Sequence, residues 1–577
     1  MAWTMLSLTS SRRACRSSRP MVSPSRRNLS IRRAFWRASM SPVLTTTLDA
    51  GWRSSPLRRF SHTLKRLILG QPDMEKEASL DFTQILFLGI LALFWVNGWA
   101  PLWIVVLIGA WYLGLLALER RGILDRWNAT RALGIILMLR TNRGKRVLEL
   151  VSQPRRFWRA YGELSIWLCF AVMAGVLLLL FLSALAITMD PGQEVLPARD
   201  LLLIPGVTSF VPFWWPVAAL IIALIIHEYS HGIQARAHGM QVRSFGLLLA
   251  GPLPVGAFAE PEYEEMIRAP RRERMRLYAA GPSINLLACW IVLILLSATA
   301  TGFAATNDGV HAVGIIEDTG AEDAGLKPYE TITQINDVPV IDYSSFTEVM
   351  SDFEAGDSAT MTVLTPPSQG EVEERLIEVV FTDSWDYHMN ECRERENCDE
   401  AALEELLAKL KIKKGDAFLG VSGLQSSTAA VDNWGYFFND DYDASEKVVG
   451  TIFAPLAMLG VPIALDGHTM NLEQRAMLTA GDGAIASTLG TEGMLAAFDF
   501  LFWLAWINFL LGFANLIPMV PFDGGHLVRD GTHSVIKRVA RKMDPLKAEN
   551  LALRLSRMSS LFILFIIAIP IIIPRII

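Results

Sequence analysis

Residues 221–239 read IIALIIHEYSHGIQARAHG, an apolar run that leads into His227, Glu228 and His231. Positions i and i+4 of a helix project from one face. His227 and His231 can therefore grip one cation together, with Glu228 alongside. Two neutral imidazoles at this spacing suit Zn2+, and the glutamate between them suits a general base. The pattern is short and also arises by chance. Its setting adds weight, because a charged side chain at the centre of a membrane span costs roughly 3 kcal/mol unless it is paired or functional. One bound cation accounts for all three polar residues at once.

A catalytic zinc takes three protein ligands and leaves a position open for water. His238 lies past the apolar run among arginines and reads as a solvated histidine. A better third ligand stands in NFLLGFANLIPMVPFDGGH, residues 508–526, where Asp523 follows a long apolar run. Pro518 and Pro521 break the helix there, and Gly524 and Gly525 allow close backbone approach. An aspartate before two glycines is also an ordinary turn residue, so spacing alone leaves that reading open. His526 and His533, which follow, read as surface residues.

The elements that position these groups follow from hydropathy. The chain has 577 residues, of which 51% are hydrophobic, and a mean hydropathy of +0.32. It is too apolar for an ordinary soluble protein. Five cysteines exclude a disulfide framework. A spanning helix needs about 20 mostly apolar residues. Runs at 82–96 and 102–118 form a hairpin around 97–101, and further runs lie at 164–187, 213–233, 282–303, 494–517 and 561–573. The count is six to seven spans, with the first two the weakest.

Charge orients these spans. Residues 120–159 hold 11 Lys+Arg against two acids, 237–280 hold six Lys+Arg and 527–556 hold seven, whereas 304–493 hold 10 basic and 35 acidic residues. Alternating spans put the three basic segments in the cytoplasm and the acidic one outside. Residues 1–73 carry 14 Lys+Arg and only Asp49 and Asp73 as acids. This segment reads as a disordered basic tail, as an upstream start with Met74 the true beginning, or as an organelle transit peptide.

Within the acidic stretch, residues 308–384 alternate as short strands do. Asn336-Asp337 sits between two apolar runs as a hairpin turn would, and Ser344 and Ser345 are placed to cap a short helix with Phe346 and Val349 inward. The segment resembles a PDZ domain, a module that captures extended peptides along a sheet edge. A β-rich domain without a ligand fits the same pattern. Cys392 and Cys398 are close enough in sequence to pair.

Together these pieces resemble the site-2 protease family of intramembrane zinc metalloproteases. HEYSH at 227–231 matches the zinc motif, NLIPMVPFDGGH at 515–526 matches the family's Asn–Pro–Asp–Gly motif, and AAGPSINLL at 279–287 matches the signature that opens the next helix. The resemblance covers about 150–526. It implies a polytopic α-helical membrane protein with an inserted extracytoplasmic PDZ-like α+β domain, holding one Zn2+ per chain on His227, His231 and Asp523. Glu228 would act as the base on metal-activated water, with Asn285 and Asn515 supporting substrate or transition state. Helix–helix hydrogen bonding serves the two asparagines equally well. Residues 251–262 resemble the loop after the zinc helix that forms an intramembrane strand.

The implied domains are a basic segment (1–73), a transmembrane hairpin with a basic cytoplasmic loop (74–163), a first catalytic half (164–304), the PDZ-like domain (308–384), an acidic connector (385–493) and a second catalytic half (494–577). The implied activity is hydrolysis of peptide bonds within or next to transmembrane segments, as in regulated intramembrane proteolysis. The implied partners are membrane-anchored proteins, the lipid bilayer and a peptide ligand of the PDZ-like domain, with no nucleic acid. The implied location is the cell membrane, or an organelle membrane if the N-terminal segment is a transit peptide. A metal transporter, a catalytically dead scaffold and a soluble-type gluzincin remain as alternatives. The first needs neither Asp523-Gly-Gly nor the insert, the second would have lost Glu228 or a ligand, and the third needs a downstream amphipathic ligand helix that is not visible.

Overall fold

The computed structural model describes residues 82–576 apart from a few short internal segments, so the basic stretch 1–73 lies outside the described residues. The first helix, α1 (Phe82–Val96), has 15 residues. That is about 22 Å of helix, short of a hydrocarbon core of about 30 Å. Among the described residues, six helices are long and apolar enough to cross a membrane: α2 (Leu102–Arg120), α3 (Arg155–Met189), α4 (Trp214–Ala237), α5 (Arg271–Ala300), α7 (Ala484–Asn515) and α9 (Pro545–Ile576). Two shorter helices are α6 (Tyr343–Met350), in the acidic insert, and α8 (Asp523–Val539), which bears on the site.

Helices are what such apolar runs must form, because hydrocarbon offers no partner to an open backbone N–H or C=O. They divide into two groups. The apolar windows of α4, α5 and α7 are 44%, 50% and 61% buried by protein, against 17%, 22% and 17% for α2, α3 and α9. The inner three therefore form the core, with Leu286, Leu296, Phe498, Phe502 and Trp503 fully buried between them. The outer helices turn Leu178, Phe181, Phe562 and Phe565 outward, as a lipid solvent requires. Small residues let α5 and α7 approach closely. A Cβ on Gly512 would come within 3.1 Å of the Leu286 side chain and the Pro282 carbonyl.

A four-stranded antiparallel sheet accompanies the bundle, in the order β1 (Ala129–Ala132), β2 (Ile136–Thr141), β3 (Val242–Ala250), β4 (Leu253–Pro261). Its register pairs Leu139 with Leu247 and Phe245 with Ala259. Within the stretch 251–262, Leu253–Pro261 form a strand, and it lies at the sheet edge against α4. The segment read as a basic loop, within 74–163, instead supplies β1 and β2. These two strands pair with each other, and the next partner of β2, β3, lies about 100 residues later in the chain.

The acidic insert has its own core around Ile332, Ile335, Met361, Val363 and Val379. Its main sheet runs in the order 374–380, 358–364, 331–335, 310–311, 425–426. Asn336 and Asp337 make the expected hairpin turn, both at positive φ (47° and 64°), the twist that two-residue hairpins favour. The cap of α6 is Asp342, not Ser344 or Ser345. Its carboxylate accepts from the Ser345 N–H and the Ser345 hydroxyl answers the Asp342 N–H. Phe346 is buried and Val349 packs against the same core.

The β-sheets of the insert do not end at residue 384, where the sequence reading ends the domain and begins the connector. Residues 417–418 pair with 382–383, 421–422 with 314–315 and 425–426 with 310–311. Strands of two residues leave no periodic signal, and two of these three pairings span more than 100 residues. Cys392 and Cys398 are bonded, linking helices Ser384–Arg393 and Glu400–Lys409.

The α5–α7 contact makes a prediction. Replacing Gly512 with leucine should lower stability by about 1–3 kcal/mol, seen as a reduced midpoint for thermal unfolding in detergent. An unchanged midpoint would mean the two helices are not in close contact there.

Candidate metal centre

The helix α4 forms from the apolar run 214–226 and continues through HEYSH without a break. Its i, i+4 spacing puts His227 and His231 on the face that meets α5, their rings 4.8 Å apart. The pairing depends on a residue without a side chain. A Cβ on Gly281 of α5 would fall 2.5 Å from His227 Nε2 and closer still to His231 Nε2. Only glycine leaves room for both nitrogens.

Asp523 arrives from the other half of the chain. The helix α7 stops at Asn515, the chain turns through Leu516–Phe522, and Asp523 opens α8. Gly524 and Gly525 lie so close to the backbone of Leu516–Val520 that a Cβ on either would sit 2.5–2.7 Å from it. This is why two glycines follow the aspartate. The placement of α8 is braced by a buried fork: Arg274 of α5 donates to both oxygens of Asp530 at 2.9 and 2.7 Å. As a result Asp523 Oδ2 lies 3.3 Å from both His227 Nε2 and His231 Nε2. One ligand atom from each residue falls within a 4.8 Å cluster.

The hydrogen bonds behind the rings decide what that cluster can hold. The Asn508 amide donates to the Leu504 carbonyl in its own helix, which turns its oxygen to Asn285 Nδ2 at 2.8 Å. Asn285 Nδ2 also donates to the Ala223 carbonyl at 3.1 Å, so its oxygen faces His227 Nδ1 at 2.5 Å. That oxygen can only accept, so His227 Nδ1 carries the proton and Nε2 keeps its lone pair. His231 repeats the logic against the Leu277 carbonyl, 2.7 Å from its Nδ1. Two lone pairs and a carboxylate oxygen thus converge with no donor among them. Protonating both rings would instead set two positive charges side by side in a buried site. A divalent cation fits this donor set, and the outer partners are those that metal-binding histidines use.

Glu228, one residue on, faces elsewhere. Its Oε2 accepts the Ala259 N–H of β4 at 2.7 Å, so the carboxylate lies between the ligand pair and the outer edge of the sheet. Alternate residues of a strand share an edge, so Ala257 presents its backbone on the same side as Ala259.

Of the residues singled out in the sequence, His227, His231 and Asp523 come together, Glu228 stands beside them and Asn285 orients His227. Asn515 does not join them, since its amide donates back to the Leu511 carbonyl of its own helix. Three histidine readings are corrected. His238 is not solvated: its side chain is 1% exposed, and burial, with Arg276 and Arg159 nearby, pushes its pKa down to about 4. His533 is buried and His526 stacks on Tyr278 rather than facing solvent. Asn508, Gly281, Arg274 and Asp530 were not singled out. A polar residue inside the apolar run 494–517 was the available signal for Asn508.

The profile of peptidase family M50 matches residues 215–563. The uncharacterized protein MJ0971 of Methanocaldococcus jannaschii is 32% identical over 171 residues, 29% of this chain and 45% of that protein. Zinc metalloprotease Rip1 of Mycobacterium tuberculosis is 23% identical over 299 residues, 48% of this chain and 68% of Rip1. Zinc metalloprotease RasP of Oceanobacillus iheyensis is 25% identical over 278 residues, 46% of this chain and 52% of RasP. The chain thus spans about half the length of MJ0971 and of RasP.

The relay behind His227 yields a prediction. Asn285→Leu should weaken zinc affinity by about 10–100-fold, measured by competition with a chromophoric chelator. An unchanged affinity would show that His227 needs no such partner.

Proposed function

The chain belongs to peptidase family M50, and on that premise we propose that it is an intramembrane zinc metalloprotease that cleaves membrane-anchored proteins within or beside their transmembrane segments. The observation that carries this reading is the meeting of His227 Nε2, His231 Nε2 and Asp523 Oδ2 among helices of membrane length, with Glu228 beside them. His227, His231 and Asp523 would hold one zinc ion per chain. When bound, zinc supplies Lewis acidity, polarising a carbonyl and lowering the pKa of water to about 7.

The remaining steps belong to the chain. Asn285 and the Leu277 carbonyl keep both imidazoles in the tautomer that points Nε2 inward. Glu228 takes the proton of the attacking water on its carboxylate and returns it to the leaving nitrogen. The Ala259 N–H holds that carboxylate in line with β4. A substrate helix must unwind before its carbonyls can be attacked, and the free edge of β4 offers the unwound strand backbone partners in place of those it loses.

Topology supports the same reading. With six spans, the segments 120–159, 237–280 and 527–556 fall on one side and 304–493 on the other, and the Lys and Arg excess assigns the first three to the cytoplasm. His227 lies toward the cytoplasmic end of α4, so cleavage falls in the cytoplasmic half of the substrate helix. The insert is then extracytoplasmic, where a Cys392–Cys398 disulfide persists. We read it as a PDZ-like module, extended to residue 426, that takes an extended peptide.

The test uses the purified full-length chain and a single-span membrane substrate in proteoliposomes. Glu228→Gln should lower the cleavage rate by about 10²–10⁴-fold while zinc, measured by elemental analysis, stays at one per chain. Unchanged cleavage would remove Glu228 as the base. Separately, stripping zinc from the unaltered chain with a chelator should abolish cleavage, and adding zinc back should restore it. Activity that survives with no zinc detected would sink the metalloprotease reading.

A further inference from the structure

Residues 444–465 belong to the acidic stretch that the sequence reading treats as a connector, yet they are not acidic. Charge ends at Lys447 and resumes at Asp466, and the residues between them, VVGTIFAPLAMLGVPIAL, contain no ionisable group. By length and apolarity the run approaches a spanning helix. It cannot be one in this fold. Pro455 lies inside helix Ala444–Ala457, and a separate short helix, Val461–Ala464, follows after a turn. The longer helix covers about 21 Å.

Both ends of the run return to one side of the bundle. Just before it, the Phe437 N–H donates to Ser297 Oγ near the C-terminal end of α5. Just after it, Gly467 packs against Phe210 and Pro212, a few residues ahead of α4. Alternation of the spans puts the end of α5 and the start of α4 on the same, extracytoplasmic, side.

The helix has two apolar faces. One packs inward, with Pro455 and Met458 buried and Ala454 and Leu459 against the main core. The other points away from the protein. Val448, Val449, Ile452, Phe453 and Leu456 are 58%, 54%, 52%, 58% and 40% exposed, and they occupy a single arc at helical spacing. The neighbouring helix α5 carries an outward stripe of the same kind, Leu287, Ile291 and Leu295, on the surface that faces lipid in a bundle of spanning helices. Charged residues are confined to the start of the helix, where Asp443 caps it with Ser445 and Glu446, and the hydroxyl of Thr451 donates back to the Lys447 carbonyl.

We infer that residues 444–465 are a re-entrant membrane segment, which dips into the outer leaflet with Val448, Val449, Ile452, Phe453 and Leu456 against acyl chains and leaves on the side it entered. The inference rests on the reading that the six long helices cross a bilayer. It extends the lipid-facing surface from α5 onto a part of the insert. It also preserves the charge alternation, because a segment that leaves by its side of entry does not change parity.

Spin labelling tests it in the full-length chain, in phosphatidylcholine–phosphatidylglycerol vesicles. The background is Cys15→Ser, since Cys169 and Cys289 are buried and the other two cysteines are bonded. Nitroxides are placed at V449C and F453C, with E446C as the aqueous reference and I291C as the lipid reference. The expected result is that labels at 449, 453 and 291 collide more with oxygen than with a water-soluble nickel chelate, and that the label at 446 shows the reverse. If 449 and 453 follow 446, the face is aqueous and the inference fails. Shielding of 449 and 453 from both reagents would also overturn it, because the face would then be covered by protein, either a second copy or a bound helix. A label at 291 that favours the nickel chelate would defeat the bilayer reading itself, an outcome distinct from failure at 449 and 453 alone.

Discussion

A histidine buried inside a helical bundle has two ring nitrogens to satisfy. Here each Nδ1 is committed to a fixed acceptor, the Asn285 side chain for His227 and the Leu277 carbonyl for His231. Both Nε2 lone pairs are thereby turned toward one point, where the Asp523 carboxylate meets them. The rest of the arrangement serves that meeting. The acceptors belong to α5, the asparagine that orients Asn285 belongs to α7, and the gap that admits two imidazoles is the missing side chain of Gly281.

The division of labour follows from which element carries what. The helix α4 carries the two imidazoles and, rotated from them, Glu228. That helix therefore presents both imidazoles on one face and aims a carboxylate from the next. That carboxylate is anchored by a strand, not a helix, through Ala259. An edge strand is an unusual element beside a membrane site because it exposes unpaired backbone groups. Under the proposed function that exposure has a use, since an unwound substrate would bring an extended segment to the same place. The Arg274–Asp530 fork secures the distant contribution by locking α8 to the start of α5, so that Asp523 is delivered from a helix with a fixed axis.

The other face of the bundle is organised by charge and by lipid. The insert is acidic and folds around a core of its own, yet its last third is not a solvated connector. Strands at 417–426 close its sheets, and the uncharged run at 448–465 presents an outward apolar face on a helix packed against α5. A segment can be rich in acids on average and still hold a stretch whose only suitable solvent is hydrocarbon.

Local chemistry made much of this protein legible before any fold was known. The HEYSH spacing prescribes two imidazoles on one helical face, and apolar length prescribes the long helices. Even Asp523 stood out, because prolines and paired glycines mark an abrupt turn at the end of an apolar run. Each of these signals is carried by neighbours in the chain. What the tertiary structure alone decided is carried by residues far apart: the relay from Asn508 through Asn285 to His227, the space left by Gly281, the burial of His238 and His533, and the pairing of residues 425–426 with 310–311. Side-chain type and spacing say which groups could bind a cation. The tautomer of each ring, and whether a carboxylate from the far half of the chain arrives within reach, depend on which helices pack together.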